Sequence, residues 1–167
     1  CVRRLSRELP LDLTVKSTPT PMHSLAELAP YLGTGRFCVT TVDTIFSESA
    51  FSGMMKEFAS CPYDGLMGVT SLIDDEKPLY VDVDGDMMIK GFLDEKGGCR
   101  YVSAGIYALA PKALEVLGDC LESGQTRMRY FQRRLLEAGM RLKAFDMGPV
   151  VDVDHLGDVA RAEEVAK

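Results

Sequence analysis

The chain has 167 residues, 46% of them hydrophobic and 26% charged, a globular composition with enough length to bury one sizeable core, so a single domain is expected. Its formal net charge of −6 argues against a nucleic-acid partner, because affinity for a phosphate backbone comes mainly from clustered Lys and Arg. No apolar run approaches the roughly 20 residues of a membrane-spanning helix and no charged-then-apolar leader opens the chain, so the sequence reads as soluble and cytoplasmic.

Val2, Leu5 and Leu9 already carry helical spacing in a chain that begins at Cys1 and not at Met, which suggests a start inside a domain. Leu11 to Lys16 alternates apolar and polar residues as a strand does, and Thr18-Pro-Thr-Pro-Met22 breaks it into a loop. Ser24-Leu-Ala-Glu27 has capping-box spacing and predicts a short helix running to about Leu32, closed by Gly33-Thr-Gly35. Arg36 to Val42 is rich in β-branched and aromatic residues, as expected of a buried strand, and Asp43-Thr44 stops it. Phe51, Met54, Met55 and Phe58 fall at i, i+3, i+4 and i+7, one apolar stripe of a helix that ends near Cys61-Pro62.

From Gly65 the pattern turns to β. Leu66 to Ile73, Leu79 to Val83 and Met87 to Leu93 read as strands, with Asp84-Gly85 as a hairpin turn. Arg100 to Leu109 is a further strand, and Pro111 opens a helix over about Lys112 to Leu121. Thr126 to Ala138 is helical and closed by Gly139, Arg141 to Phe145 and Val150 to Val153 are strands, and a last helix starts near His155. Alternating strands and helices with a hairpin region imply an α/β fold with a mixed sheet.

Asp43 follows seven largely apolar or β-branched residues at a strand end, the edge of an open α/β sheet where ligands sit. A carboxylate there suits a hard cation such as Mg²⁺, and equally suits an Asx-type cap of the turn that follows. Asp152 and Asp154 also follow a short apolar run, and strand alternation puts both on one face. The alternative makes Asp154 the N-cap of the last helix. Asp82-Val-Asp84-Gly-Asp86 is not a calcium loop, because Gly85 stands fourth and Leu93 twelfth where an EF-hand needs Gly sixth and Glu twelfth. The five cysteines, Cys1, Cys38, Cys61, Cys99 and Cys120, form no CxxC pair and read as free thiols of a reducing compartment. Arg127, Arg129, Arg133, Arg134, Arg141 and Lys143 read as solvated helix faces, with phosphate contact as the alternative.

Several segments taken in order resemble the sugar-phosphate nucleotidyltransferases, the NDP-sugar pyrophosphorylases. Phe37-Cys-Val-Thr-Thr-Val-Asp-Thr-Ile-Phe46 resembles their strand ending in a metal-binding carboxylate, which falls on Asp43. Ile89-Lys-Gly-Phe-Leu-Asp-Glu-Lys96 resembles the segment that contacts the sugar and its phosphate, with Gly97 where the family has Pro, and implies Lys96. Tyr101-Val-Ser-Ala-Gly-Ile-Tyr107 resembles the Gly-Ile-Tyr strand, whose glycine lets the sugar approach the backbone, and implies Gly105. Val150-Val-Asp-Val-Asp-His-Leu-Gly-Asp158 resembles the closing strand and helix, and implies Asp152 as the second metal ligand. Thr18 to Leu25 stands where the family contacts the nucleobase, which implies His23 and Ser24.

The resemblance implies a Rossmann-like fold of the glycosyltransferase-A type and transfer of a nucleotidyl group from a nucleoside triphosphate to a sugar 1-phosphate, releasing pyrophosphate, with Mg²⁺ on Asp43 and Asp152. The family's glycine-rich phosphate loop has no counterpart in this sequence. By ordinary βαβ lengths about 70 residues of such a domain would precede it, and the chain alone is expected to be inactive. Two other readings remain, a non-catalytic nucleotide-sugar-binding regulatory subunit and a glycosyltransferase of the same fold.

Overall fold

The computed structural model describes residues 11–72, 77–153 and 155–165. The helical spacing at Val2 to Leu9, the expected strand end at Ile73, Cys1 and Asp154 lie outside the described residues.

The centre of the molecule is β6 (Tyr101–Leu109), nine residues in which side chains alternate between two apolar layers. On one side it pairs antiparallel with β3 (Gly65–Thr70), which pairs parallel with β7 (Leu142–Asp146). On its other side two strands share its length. β4 (Tyr80–Val83) meets its start and β1 (Phe37–Val39) meets its end, while β5 (Ile89–Leu93) completes a hairpin with β4. This is the mixed sheet that the alternating pattern predicts, with order β5-β4-β6-β3-β7 and β1 beside β6. A separate two-residue ladder joins β2 (Thr44–Ile45) to β8 (Val151–Asp152).

Helices cover both faces. α2 (Glu48–Ser60), capped by the Ser47 hydroxyl accepting from the Ala50 N–H at 3.2 Å, buries Met54 and Phe58 against Leu66, Ile106, Ala108 and Met147. Two such side chains contribute about 1.5–3 kcal/mol each. α1 (Pro21–Leu28), α3 (Lys112–Glu122) and α4 (Met128–Glu137) pack on the opposite face through Met22, Leu25, Val116, Leu117, Phe131 and Leu135. A 3₁₀ turn, Leu156–Asp158, leads into α5 (Val159–Val165).

Four expectations change. The strand expected over Arg36 to Val42 ends at Val39, and Thr40 to Asp43 run exposed into β2; Val42 is 99% exposed. A run of Thr and Val favours extended backbone, but β6 offers it partners only as far as Tyr107. Leu11 to Lys16 alternates as a strand yet joins no described ladder, and Leu11, Leu13 and Val15 are exposed. α1 begins at Pro21, whose missing N–H suits a first helical position, so Ser24 is interior and its capping box is unused. Pro111 is the N-cap, one residue before the helix it was expected to open.

Arg36 ties the start of β1 to the end of α2. Its guanidinium donates to the Phe58, Cys61 (3.0 Å) and Tyr63 (2.8 Å) carbonyls and lies 4.6 Å over the Phe58 ring. Orphan carbonyls at a helix end take a cation well.

Cys38, Cys61, Cys99 and Cys120 are free, as their spacing suggests. Burial on β1 pushes the Cys38 thiol up to about 11. At pH 8 about one part in a thousand would then be thiolate, the reactive form. Cys38 is therefore expected to alkylate far more slowly than a free model thiol in a timed iodoacetamide reaction read by peptide mass, and equal rates would contradict its burial.

Candidate functional site

Strand directions bring the chain segments that carry Asp43, Lys96 and Asp152 to one rim, while His23 and Ser24 lie on α1. β1, β3 and β7 run the same way, so their carboxyl ends share one edge of the sheet. β5 ends opposite Tyr80, Tyr80 pairs with Val102, and Val102 also pairs with Thr70 at the end of β3. The turn between β5 and β6, which carries Lys96, therefore lies at that same edge, as does the segment from Thr40 to Thr44 that continues β1.

At this rim the described contacts converge on Thr44. It is 6% exposed, and its hydroxyl donates to the Asp152 carboxylate at 2.7 Å across the β2–β8 ladder. Thr41 shares a hydroxyl hydrogen bond with it. Asp43 enters through its backbone, its carbonyl accepting from the Val153 N–H at 3.0 Å, while its side chain is exposed in a bend. Asp43 is thus in an exposed connection and not, as the strand reading had it, at the rigid end of a buried strand.

Gly105 forms the wall behind Thr44. Its φ is +73°, a left-handed conformation inside a strand, and a Cβ there would stand 3.5 Å from the Thr44 hydroxyl. Around it the β3–β6 register slips: Met67 faces Tyr107 but Val69 faces Ser103, so two steps on β3 match four on β6. Such a bulge needs glycine at its left-handed position and re-aims the residues beside it.

Beneath the bulge lies a buried polar chain. Ser103 donates to the Gln132 side-chain carbonyl at 3.0 Å, and the Gln132 amide donates to the Tyr107 hydroxyl at 3.3 Å. Burial holds the Tyr107 phenol above its ordinary value; a bond from Ser103 lowers it, and the negative charge of Asp152 raises it further, so the chain lies within electrostatic reach of the rim.

Lys96 is exposed in the Asp94 to Arg100 turn, where its carbonyl accepts from the Cys99 N–H at 2.8 Å. That turn is anchored from α4: Arg129 and Arg133 each reach Asp94 Oδ1 at 2.8 Å, and they donate to the Lys77 and Phe92 carbonyls at 2.9 Å. The two guanidinium groups hold the Asp94 carboxyl below its usual range, Arg133 most strongly. Of the other basic residues, Arg134 pairs with Glu137 and Lys143 with Glu57. Four of the six thus have carboxylate partners. His23 and Ser24 sit in the first turns of α1, and the hydrogen bonds described for them are local, His23 Nδ1 to the Thr20 hydroxyl at 2.9 Å and Ser24 to the Thr18 hydroxyl at 2.6 Å.

Thr44 and Gln132 were not among the residues singled out from the sequence. Gln132 had a signal: Met128, Phe131, Gln132, Leu135 and Leu136 follow the 3, 1, 3, 1 rhythm of an apolar helical stripe, and an amide in that stripe needs buried partners.

No protein-family model matches the sequence, nor does any curated protein. Solved structures do match. The inositol-1-phosphate CTP transferase from T. maritima superposes with a TM-score of 0.77 at 17% identity, over 99% of this chain and 73% of that one. A putative glucose-1-phosphate thymidylyltransferase from Bacillus anthracis, in complex with a sucrose, gives 0.75 at 19% identity, over 92% and 63%. An apo UDP-glucose pyrophosphorylase gives 0.70 at 15% identity, over 89% and 60%. The fold is that of the sugar-phosphate nucleotidyltransferases. The chain spans between three fifths and three quarters of these nucleotidyltransferases' lengths. Among the described residues no helix is long and apolar enough to cross a membrane.

The rim carries two carboxylates, those of Asp43 and Asp152. Among the described residues no three His, Cys, Asp or Glu side chains come together as a metal site. Mg²⁺ is commonly held by only one or two carboxylates with substrate phosphates and water, and Asp43 and Asp152 supply oxygen donors on neighbouring chain segments. Carboxylate oxygens are the donor type that Mg²⁺ takes. A surface cavity of about 330 Å³ lies elsewhere, between the end of α3 and α4, lined by Ser123, Gln125, Tyr130, Arg133, Arg134 and Glu137.

Proposed function

We propose that this chain carries the metal and sugar-phosphate side of a nucleotidyltransferase active site, one that transfers a nucleotidyl group from a nucleoside triphosphate to a sugar 1-phosphate. The observation that supports this best is the Thr44–Asp152 hydrogen bond beside the Gly105 bulge, because it joins three separately recognisable segments at one rim of the sheet. The domain then extends over residues 1–167 as one unit of a longer nucleotidyltransferase domain, and the chain without the rest of that domain is expected to be inactive.

In the proposed reaction a phosphate oxygen of the sugar 1-phosphate forms a bond to the α-phosphorus while the bond to the bridging β-phosphate oxygen breaks, releasing pyrophosphate. No covalent protein intermediate is needed. Asp43 and Asp152 would hold Mg²⁺, which supplies charge neutralisation of the phosphates when bound. Thr44 fixes the Asp152 carboxylate through its hydroxyl. Gly105, lacking a Cβ, leaves backbone open to the sugar ring. Lys96 contributes a flexible cation for the sugar phosphate, and Asp94 with its two arginines keeps that turn at the rim. His23 and Ser24 are proposed to meet the nucleobase.

The direct test is pyrophosphate release by the full-length protein over a panel of nucleoside triphosphates against sugar 1-phosphates. One productive pair is the expected result. Binding of a nucleotide sugar without turnover in any pair would replace this reading with the regulatory-subunit one, and sugar transfer without triphosphate consumption would replace it with a glycosyltransferase.

A further inference from the structure

We propose that Gln132, on α4, is a positioning residue for the rim site: its side-chain amide clamps β6 on both sides of the Gly105 bulge and so sets where Gly105 stands against Thr44 and Asp152. The catalytic consequence rests on the nucleotidyl-transfer reading; the clamp itself does not.

Gln132 is 3% exposed on a helix face whose other buried members are Phe131 and Leu135. An amide in such a layer is tolerated only when both its ends are bonded. Both are, and to the same strand: the carbonyl accepts from Ser103 and the amide donates to Tyr107, the residues two before and two after Gly105. These are also the residues that bracket the register slip against β3. Regular pairing cannot hold the bulge there, because the extra residues of β6 have no counterpart on β3; a rigid bridge of fixed span from α4 can. The bulge in turn directs the open side of Gly105 to the Thr44 hydroxyl, 3.5 Å from where a Cβ would stand, and that hydroxyl donates to Asp152. A helix residue thus governs the site without reaching it.

The rival account is that Gln132 serves stability alone. Two variants separate the possibilities. Gln132→Leu keeps the volume but leaves Ser103 and Tyr107 without their buried partner. The triple variant Ser103→Ala, Gln132→Leu, Tyr107→Phe removes every polar group of the chain, and replacing all partners by apolar groups of similar shape is close to neutral for stability. The single variant should lose about 4–8 °C of melting temperature and the triple should recover most of it. If Gln132 positions the bulge, both variants displace the backbone amide resonances of Gly105 and Thr44 in ¹H–¹⁵N spectra. Both should also raise KM for the sugar 1-phosphate by about 10- to 100-fold, the cost of a shift approaching 1 Å, with KM for the nucleoside triphosphate unchanged. A triple variant that recovers the wild-type Gly105 and Thr44 resonances along with its melting temperature would overturn the proposal, as would a single variant with unmoved resonances. Moved resonances with unchanged sugar KM would also overturn it as a positioning role. Displaced Gly105 and Thr44 resonances in the variants, with no pyrophosphate released by the wild-type protein from any substrate pair, would instead refute the nucleotidyl-transfer reading and leave the clamp standing.

Discussion

Asp152→Asn in the full-length protein is expected to lower turnover by about a thousandfold while the melting temperature stays within a few degrees of wild type. The substitution preserves volume and leaves an amide oxygen able to accept from Thr44, so the β2–β8 ladder and its 2.7 Å hydrogen bond survive. What it removes is a negative charge at the rim. Losing one well-placed electrostatic contact in an active site commonly costs about 2.7–4 kcal/mol of barrier, and a metal that neutralises transferring phosphates is worth several kcal/mol. Asp43→Asn is expected to act similarly, with even less structural effect, since the Asp43 side chain is exposed and its ladder contact is made by its backbone carbonyl. Asp152→Ala should differ from Asp152→Asn in stability, because it also takes away an acceptor from the buried Thr44 hydroxyl. Pyrophosphate release measured beside thermal unfolding separates the two effects. Wild-type turnover in both Asn variants would remove the metal assignment from these carboxylates.

Much of the frame was legible because it is local. Helix α2 follows from Phe51, Met54, Met55 and Phe58, β6 from its long apolar run, and the end of α4 from Gly139, which indeed has a φ of +75°. The misreadings share a cause. Leu11 to Lys16 and Thr40 to Val42 have extended-chain residue types, but a strand exists only where a neighbour supplies hydrogen bonds, and neighbour choice is not written in the segment itself. The capping box at Ser24 lost to the proline three residues earlier, which fits a helix start at no cost.

For the candidate site, the sequence names residues but not their contacts. The order of segments pointed to Asp43, Asp152, Gly105 and Lys96, and strand direction carries their chain segments to one edge. Thr44 escaped notice because its partner stands 108 residues away. Two-residue strands such as β2 and β8 have no period to detect. His23 and Ser24 have only local hydrogen bonds described, so their proposed nucleobase role rests on sequence order alone.

Gly105→Val carries the largest expected cost among single changes in the sugar-side wall, through two separable effects. A β-branched residue at a φ of +73° is a conformational outlier, and a left-handed non-glycine residue costs about 1–3 kcal/mol. Its Cβ would stand 3.5 Å from the Thr44 hydroxyl, an ordinary contact, but its two methyl groups extend beyond that point into the Thr44–Asp152 pair. Gly105→Ala introduces the backbone strain with little of the bulk. The alanine variant should therefore lose stability in thermal unfolding yet keep Thr44 on Asp152, whereas the valine variant should lose stability and also sugar 1-phosphate affinity by more than about tenfold, the range of a sub-ångström misplacement. Equal sugar affinity in the two variants would mean that the missing Cβ matters only for the turn of the backbone, and that the open wall at Gly105 is not where the sugar stands.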